Sequence, residues 1–212
     1  VPSAGGAQTF PSRPVRLIAP YPPGGGIDTV ARLIAGPMSE VLGQSVVVEN
    51  RAGAGGSIGA AAASQASPDG HTLLLDALGH VINPLLIRDL PFDYARAFAP
   101  VSLVVTQPII VVGNPNLPIR SLAQLLERLK QPGADLSYGS SGNGTGPHIA
   151  AESLLRQAGV RATHVPYRGA APALQDVMAG NVAFSVVTAG STVALAREGK
   201  VIPLAILSPE RM

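Results

Sequence analysis

The chain has 212 residues, 46% hydrophobic and 13% charged, a balance that supports a sizeable core and excludes a disordered chain. Its net charge of +2 is scattered without a basic cluster, so no nucleic-acid partner is expected. With no cysteine, thiolate metal sites, dithiol chemistry and a disulfide framework are all excluded.

In chain order, residues 1–10 show neither a charged start nor an apolar run, so they are read as the flexible start of a mature or trimmed chain, its export signal removed. Strands are expected over 15–19, 45–50, 72–76, 101–105, 109–112, 162–165, 184–187 and 202–207. These are continuous aliphatic runs, the pattern of strands buried on both faces. Helices are expected between them. Val30, Leu33, Ile34, Val41 and Leu42 keep the helical period, with Asp28 read as the N-cap. Ser121 and Gln124 form a capping box ahead of Leu122, Leu125, Leu126 and Leu129. Pro147 suits a first helical position of a helix running to about Ala158. Leu174, Val177 and Met178 line another, and Gly43, Gly159, Gly180 and Gly199 stand where left-handed C′ residues are wanted. Such alternation predicts an α/β fold with mainly parallel sheets flanked by helices. The proline-punctuated segment 98–118 interrupts it and is read as hinge strands crossing between two lobes. The uncharged stretches 52–68 and 97–119 are too polar or too proline-rich to span a membrane.

Three glycine-rich loops join strands to helices: 20–28, 51–59 and 138–148. At such a loop free backbone N–H groups and the positive helix end converge, glycine allows close approach, and anions are favoured. Nucleotide motifs fit poorly. Gly59 comes one position too late for a dinucleotide fingerprint, and no loop supplies the lysine of a phosphate-binding loop. Asn143 breaks the pattern of a nucleophile elbow. His71, His80, His148 and His164 match no metal spacing. His148 opens a helix and His80 follows a strand in a loop; each is open to a ligand contact or to a capping or surface role. Asp28, beyond capping, could order ligand-bound water. Arg168 is read as an exposed arginine rather than an anion partner. No nucleophile–base pair, metal cluster or cofactor lysine is found, so neither an enzyme nor a cofactor is expected.

Six segments in order carry a family resemblance: 20–32 (Pro20-Tyr21-Pro22-Pro23-Gly24-Gly25-Gly26-Ile27-Asp28 onward), 48–56, 67–74, 138–145, 165–169 and 208–212. The chain resembles the periplasmic solute-binding receptors of tripartite tricarboxylate transporters, also called Bug proteins. The resemblance implies a two-lobed flytrap fold of the periplasmic binding class, a periplasmic location, and a small carboxylate ligand delivered to membrane transporter subunits. It further implies that the first and third loops grip one carboxylate through Tyr21, Gly24, Gly25, Asp28, Ser140, Gly142, Gly144 and Thr145. The ligand's distal end would meet Gly79, His80, Tyr167, Val187 and Thr188. Many members carry aspartate where Val187 aligns, so a ligand other than an amino acid is expected.

Lobes are expected over 1–104 and 105–204, with 205–212 returning toward the first. Members of the family continue further, so the chain is expected to be a truncated product whose incomplete first lobe favours self-association. The alternatives are a ligand-sensing subunit for a signalling partner and, on the same scaffold, an enzyme acting on a small anionic metabolite.

Overall fold

A computed structural model describes residues 10–208. The first part of the chain forms β1 (Val15–Ala19), α1 (Gly26–Leu42), β2 (Val46–Asn50), α2 (Ser57–Ser64), β3 (Thr72–Leu74), α3 (Gly79–Leu86) and α4 (Tyr94–Ala97). The second forms β4 (Ile109–Gly113), α5 (Leu122–Lys130), β5 (Ser137–Ser140), α6 (Gly146–Gln157), β6 (Thr163–Pro166), α7 (Ala170–Ala179), β7 (Phe184–Thr188), α8 (Val193–Arg197) and β8 (Ile202–Leu207).

The strands make two sheets, ordered β2-β1-β3 and β6-β5-β7-β4-β8. The first is wholly parallel; in the second β6, β5 and β7 are parallel, and β4 runs antiparallel to β7 and β8. β8 stays paired with β4 as far as Leu207, inside the stretch expected to leave the second lobe.

The apolar runs dictate this layering. Along β4 and β7 consecutive valines point to opposite faces and both are wanted inside. Val111 and Val186 pack with Leu125, Leu129 and Leu155 of α5 and α6, while Val112 and Val187 pack with Ala173, Leu174 and Val177 of α7. Each such fully buried side chain contributes about 1.5–3 kcal/mol of transfer free energy. In the first sheet Val15, Leu17 and Ala19 face Val30, Ala31 and Ala35 of α1.

The punctuation is also physical. Gly43, Gly159, Gly180 and Gly199 all take left-handed φ values, between 65° and 84°, directly after helices. Ser121 Oγ accepts from Gln124 N at 3.2 Å, but Gln124 Oε1 returns to Arg120 N rather than to Ser121 N, so the capping box is shifted by one residue.

Two expectations are corrected. Residues 101–105 form no strand: among the described residues nothing pairs with them, and Val101 and Leu103 are 85% and 83% exposed. An aliphatic run becomes a strand only where a neighbour satisfies its backbone. The hinge strand expected there is therefore an extended segment leading into β4. His80, expected in a loop after a strand, lies in the helix Gly79–Leu86, which forms despite Pro84.

Candidate functional site

The strand order brings the glycine loops to equivalent places. The chain runs β1-α1-β2 and then crosses back past β1 to β3; it runs β5-α6-β6 and crosses back past β5 to β7. Both units thus have the same topology, and the central strand of each is a switch point. In open α/β sheets the crevice outside such a strand's carboxyl end is where ligands bind. The β1–α1 loop (residues 20–25) and the β5–α6 loop (residues 141–145) occupy these two ends.

The twin loops are built alike. Gly24 and Gly144 both sit in the left-handed region, at φ +80° and +72°. Each donates its N–H to the side chain four residues on, which is the third residue of the following helix. Gly24 N reaches Asp28 Oδ2 at 2.9 Å, and Gly144 N reaches His148 Nδ1 at 3.1 Å. Both bonds fold the loop over the helix start, where the first N–H groups have no intrahelical carbonyl. Contacts between the units are reciprocal. A Cβ on Gly55, in the loop after β2, would lie 3.2 Å from the Asn143 carbonyl oxygen; a Cβ on Gly169, in the equivalent loop after β6, would lie 3.4 Å from Pro22 Cγ.

Asp28 is not the N-cap of α1. Gly25 holds that position, and Asp28 stands in the first turn. Its carboxylate is buried and accepts from Gly24 N, from Asn50 Nδ2 at 2.9 Å and from Arg32 Nε at 3.0 Å. Burial pushes its pKa up, but the bonds from Arg32, Gly24 and Asn50 outweigh that and hold it below the ordinary carboxylate value.

Tyr21 leans from the first loop onto the second, donating its hydroxyl to the Gly55 carbonyl at 3.3 Å. Burial, reinforced by Asp76 and Tyr94, raises its pKa and keeps it a neutral donor. Gly79 is where α3 presses against this group: a Cβ there would lie 2.7 Å from the Gly55 carbonyl oxygen and 2.8 Å from the Tyr21 hydroxyl. His80, expected in a loop, lies on α3 with Nδ1 3.2 Å from Asp76 Oδ2. Burial raises the pKa of Asp76, although Ala77 N and His80 oppose it.

In the β5–α6 loop Ser140 Oγ accepts from Gly142 N at 3.2 Å and lies 2.7 Å from His164 Nε2. That spacing matches a nucleophile–base pair. Ser140 is however fully buried, and the His164 ring stacks on Tyr138 and on His148. Thr145 Oγ1 donates to the Gly142 carbonyl at 2.8 Å. Gly142 lies close to the chain just after β6: an added Cβ would meet the Tyr167 carbonyl oxygen at 3.1 Å.

Tyr167 turns its hydroxyl to Asp176 Oδ2 at 2.5 Å, and its pKa is pushed up to about 12 by burial and then by that carboxylate. Thr188 and Val187 part company. A Cβ on Gly26, the first residue of α1, would lie 2.9 Å from Thr188 Oγ1, whereas Val187 is fully buried in the core cluster with Leu174 and Val177. Val187 is therefore placed among core residues rather than on an accessible wall. Arg168 is exposed. Among the described residues no three His, Cys, Asp or Glu side chains cluster as metal ligands, and no helix is long and apolar enough to cross a membrane.

Three residues at this junction escaped the sequence reading. Gln107 Nε2 donates to the Gly26 carbonyl at 3.4 Å, joining the segment before β4 to the start of α1. Asn83, buried in α3, donates to the Gly55 carbonyl at 3.1 Å and to the Tyr94 hydroxyl at 3.0 Å. His164 was seen only as a failed metal ligand. The glutamine before Pro108 was the one visible signal; the other two depend on tertiary contacts.

The chain is similar to several known proteins. The protein BugT of Bordetella pertussis is 35% identical over 207 residues, covering 97% of this chain and 64% of its own length. A solved structure of an R. palustris protein with adipate superposes with a TM-score of 0.92 at 35% identity, covering 95% of this chain and 68% of that one. MatC of Rhodopseudomonas palustris with bound malate superposes with a TM-score of 0.87 at 34% identity, covering 95% and 69%. The chain spans between about half and two thirds of the curated relatives it matches (52%, 65% and 64%). A sequence model of the tripartite tricarboxylate transporter family receptor matches residues 30–212, and the chain belongs to that family.

Proposed function

We propose that the chain forms the ligand-binding body of a periplasmic receptor. It takes one carboxylate of a small dicarboxylate between the N-termini of α1 and α6 and delivers the ligand to the membrane subunits of a tripartite transporter. The observation that carries this reading is the pair of similarly constructed loops at Gly24 and Gly144, each at a switch point and each before a helix. The first N–H groups of the helices that follow, which have no intrahelical acceptor, and the helix dipoles favour an anion there. The structural neighbours with adipate and with malate make dicarboxylates the ligand class to test.

In this reading Tyr21, Gly24, Gly25, Gly142, Gly144 and Thr145 surround the proximal carboxylate, and Ser140, fully buried, holds the shape of the second loop from beneath. Asp28, already saturated by three donors, shapes the first loop. Gly79, His80, Tyr167 and Thr188 face the remainder of the ligand. The first lobe reaches residue 104, and the second runs from 105 through β8, which stays paired with β4 as far as Leu207. The reading assigns binding and no bond chemistry.

A thermal-shift screen with malate, adipate, succinate, citrate, aspartate and glutamate tests it. At a hundred times its dissociation constant a ligand adds about 2.7 kcal/mol. For a chain of this size that corresponds to a rise of about 5–11 °C in Tm. No shift with any of the six overturns the proposal.

A further inference from the structure

The twin loops differ in one respect that nothing in ligand capture requires. The side chain that accepts from the loop glycine is a carboxylate in the first unit and an imidazole in the second. Burial raises the pKa of Asp28, but the bonds from Arg32, Gly24 and Asn50 outweigh it and hold the carboxyl below its ordinary value. His148 accepts through Nδ1, and a proton on that nitrogen abolishes the bond to Gly144 N.

His148 is not isolated. Its ring stacks on His164 with centroids 4.1 Å apart and planes at 12°. His164 stacks in turn on Tyr138, and Tyr138 on Phe184, because these three occupy one row across β6, β5 and β7. The column therefore runs from the β-sheet to the loop, and both imidazoles hold that loop: His148 at Gly144 N, and His164 at Ser140 Oγ. The acidic group acting on His164 is Glu152 of α6, whose Oε1 already accepts the Tyr138 hydroxyl at 2.6 Å. Tyr138 itself stays neutral, its pKa raised by burial and by Glu152.

We propose that His148 and His164 are a positioning pair that sets the β5–α6 loop in its anion-binding shape only while both rings are uncharged, so that ligand affinity falls in acid through this loop alone. The affinity part rests on the reading given under Proposed function; the loop-holding part does not. Two charged imidazoles cannot remain stacked at this distance without strong repulsion. In keeping with that, burial and then the neighbouring His148 push the His164 pKa down to about 4.

The test uses His148→Asn together with His164→Gln. Asn places an acceptor where Nδ1 stood and Gln a polar group where Nε2 stood, and neither titrates. Malate and adipate dissociation constants are measured for both proteins from pH 7.5 to pH 4. The ratio of wild-type to variant constant cancels protonation of the ligand itself. With the ratio at pH 7.5 as the baseline, it is expected to rise about five- to tenfold toward pH 4, the size of one lost hydrogen bond. A flat or falling ratio overturns the proposal. In the ligand-free proteins, amide exchange at Gly144, corrected for intrinsic pH dependence, is expected to lose protection in acid in wild type only. Equal protection in both overturns the loop-holding part, whether or not either dicarboxylate binds. If neither binds at pH 7.5, the proposed function fails while the exchange measurement still decides the role of the pair.

Discussion

Removing the Asp28 carboxylate tests how the first loop is held. Its side chain is 5% exposed and accepts from Gly24 N, Asn50 Nδ2 and Arg32. In Asp28→Ala these donors lose their shared acceptor, but not equally. Gly24 is exposed and its N–H can be taken up by water, and Asn50 Nδ2 keeps a second acceptor in the Tyr21 carbonyl at 3.1 Å. The loss is therefore nearer one charge-assisted hydrogen bond than three, about 2 kcal/mol. Asp28→Asn retains one oxygen acceptor and is expected to lose about half as much. Urea unfolding followed by circular dichroism measures both. The carboxylate's pKa is lowered by folding, so its contribution is present above the unfolded value, about 3.9, and disappears as pH falls through the folded one. Wild type is thus expected to lose more stability than Asp28→Asn on acidification below about pH 4. An Asp28→Ala loss under about 0.5 kcal/mol, the ordinary surface range, would refute the reasoning.

Other substitutions probe the same scaffold. Gly59→Ala on α2 would put a Cβ 2.6 Å from Pro20 Cβ and 2.8 Å from the Arg51 carbonyl oxygen. It is expected to cost about 1–3 kcal/mol in urea unfolding by forcing α2 off β1. Gly26→Ala meets only Gln107 Oε1 and Thr188 Oγ1, ends of side chains that can move. Stability should hardly change, while dicarboxylate affinity falls about tenfold in calorimetric titration, equivalent to about 1.4 kcal/mol. Ser121→Ala removes the cap on α5 and should cost about 1 kcal/mol with binding unaffected.

Much of this was legible in the sequence because it rests on local rules. The strands over 15–19 and 202–207 fall where the aliphatic runs place them, and the three glycine loops all follow strands. Residues 101–105 show the limit of that logic. Their composition is as strand-like as that of β4, yet a strand exists only where a partner is within reach. α3 fails in the opposite direction: Val81, Ile82 and Pro84 disfavour a helix, and packing of Gly79 and Asn83 against Gly55 overrides local preference. Asp28 was displaced from its expected role because three glycines in succession left the start of α1 undetermined by sequence.

The site shows the same division. Loop positions could be read, but the equivalence of Asp28 and His148 could not, since a carboxylate and an imidazole share no sequence signature. Only the strand order exposes it. The row Phe184, Tyr138 and His164 depends on strand register, which a single sequence does not contain. The family resemblance implies a place on the ligand wall for Val187, but the alternation of β7 turns it into the core beneath α7.

The central claim is that one carboxylate sits between two helix N-termini, and backbone amide NMR tests it most directly. Malate is titrated into isotope-labelled protein while the amides of Gly24, Gly25, Gly26, Gly142 and Gly144 are followed. Both loops are expected to shift together along one binding curve. Saturable binding that moves the amides of only one loop, or of neither, would contradict it.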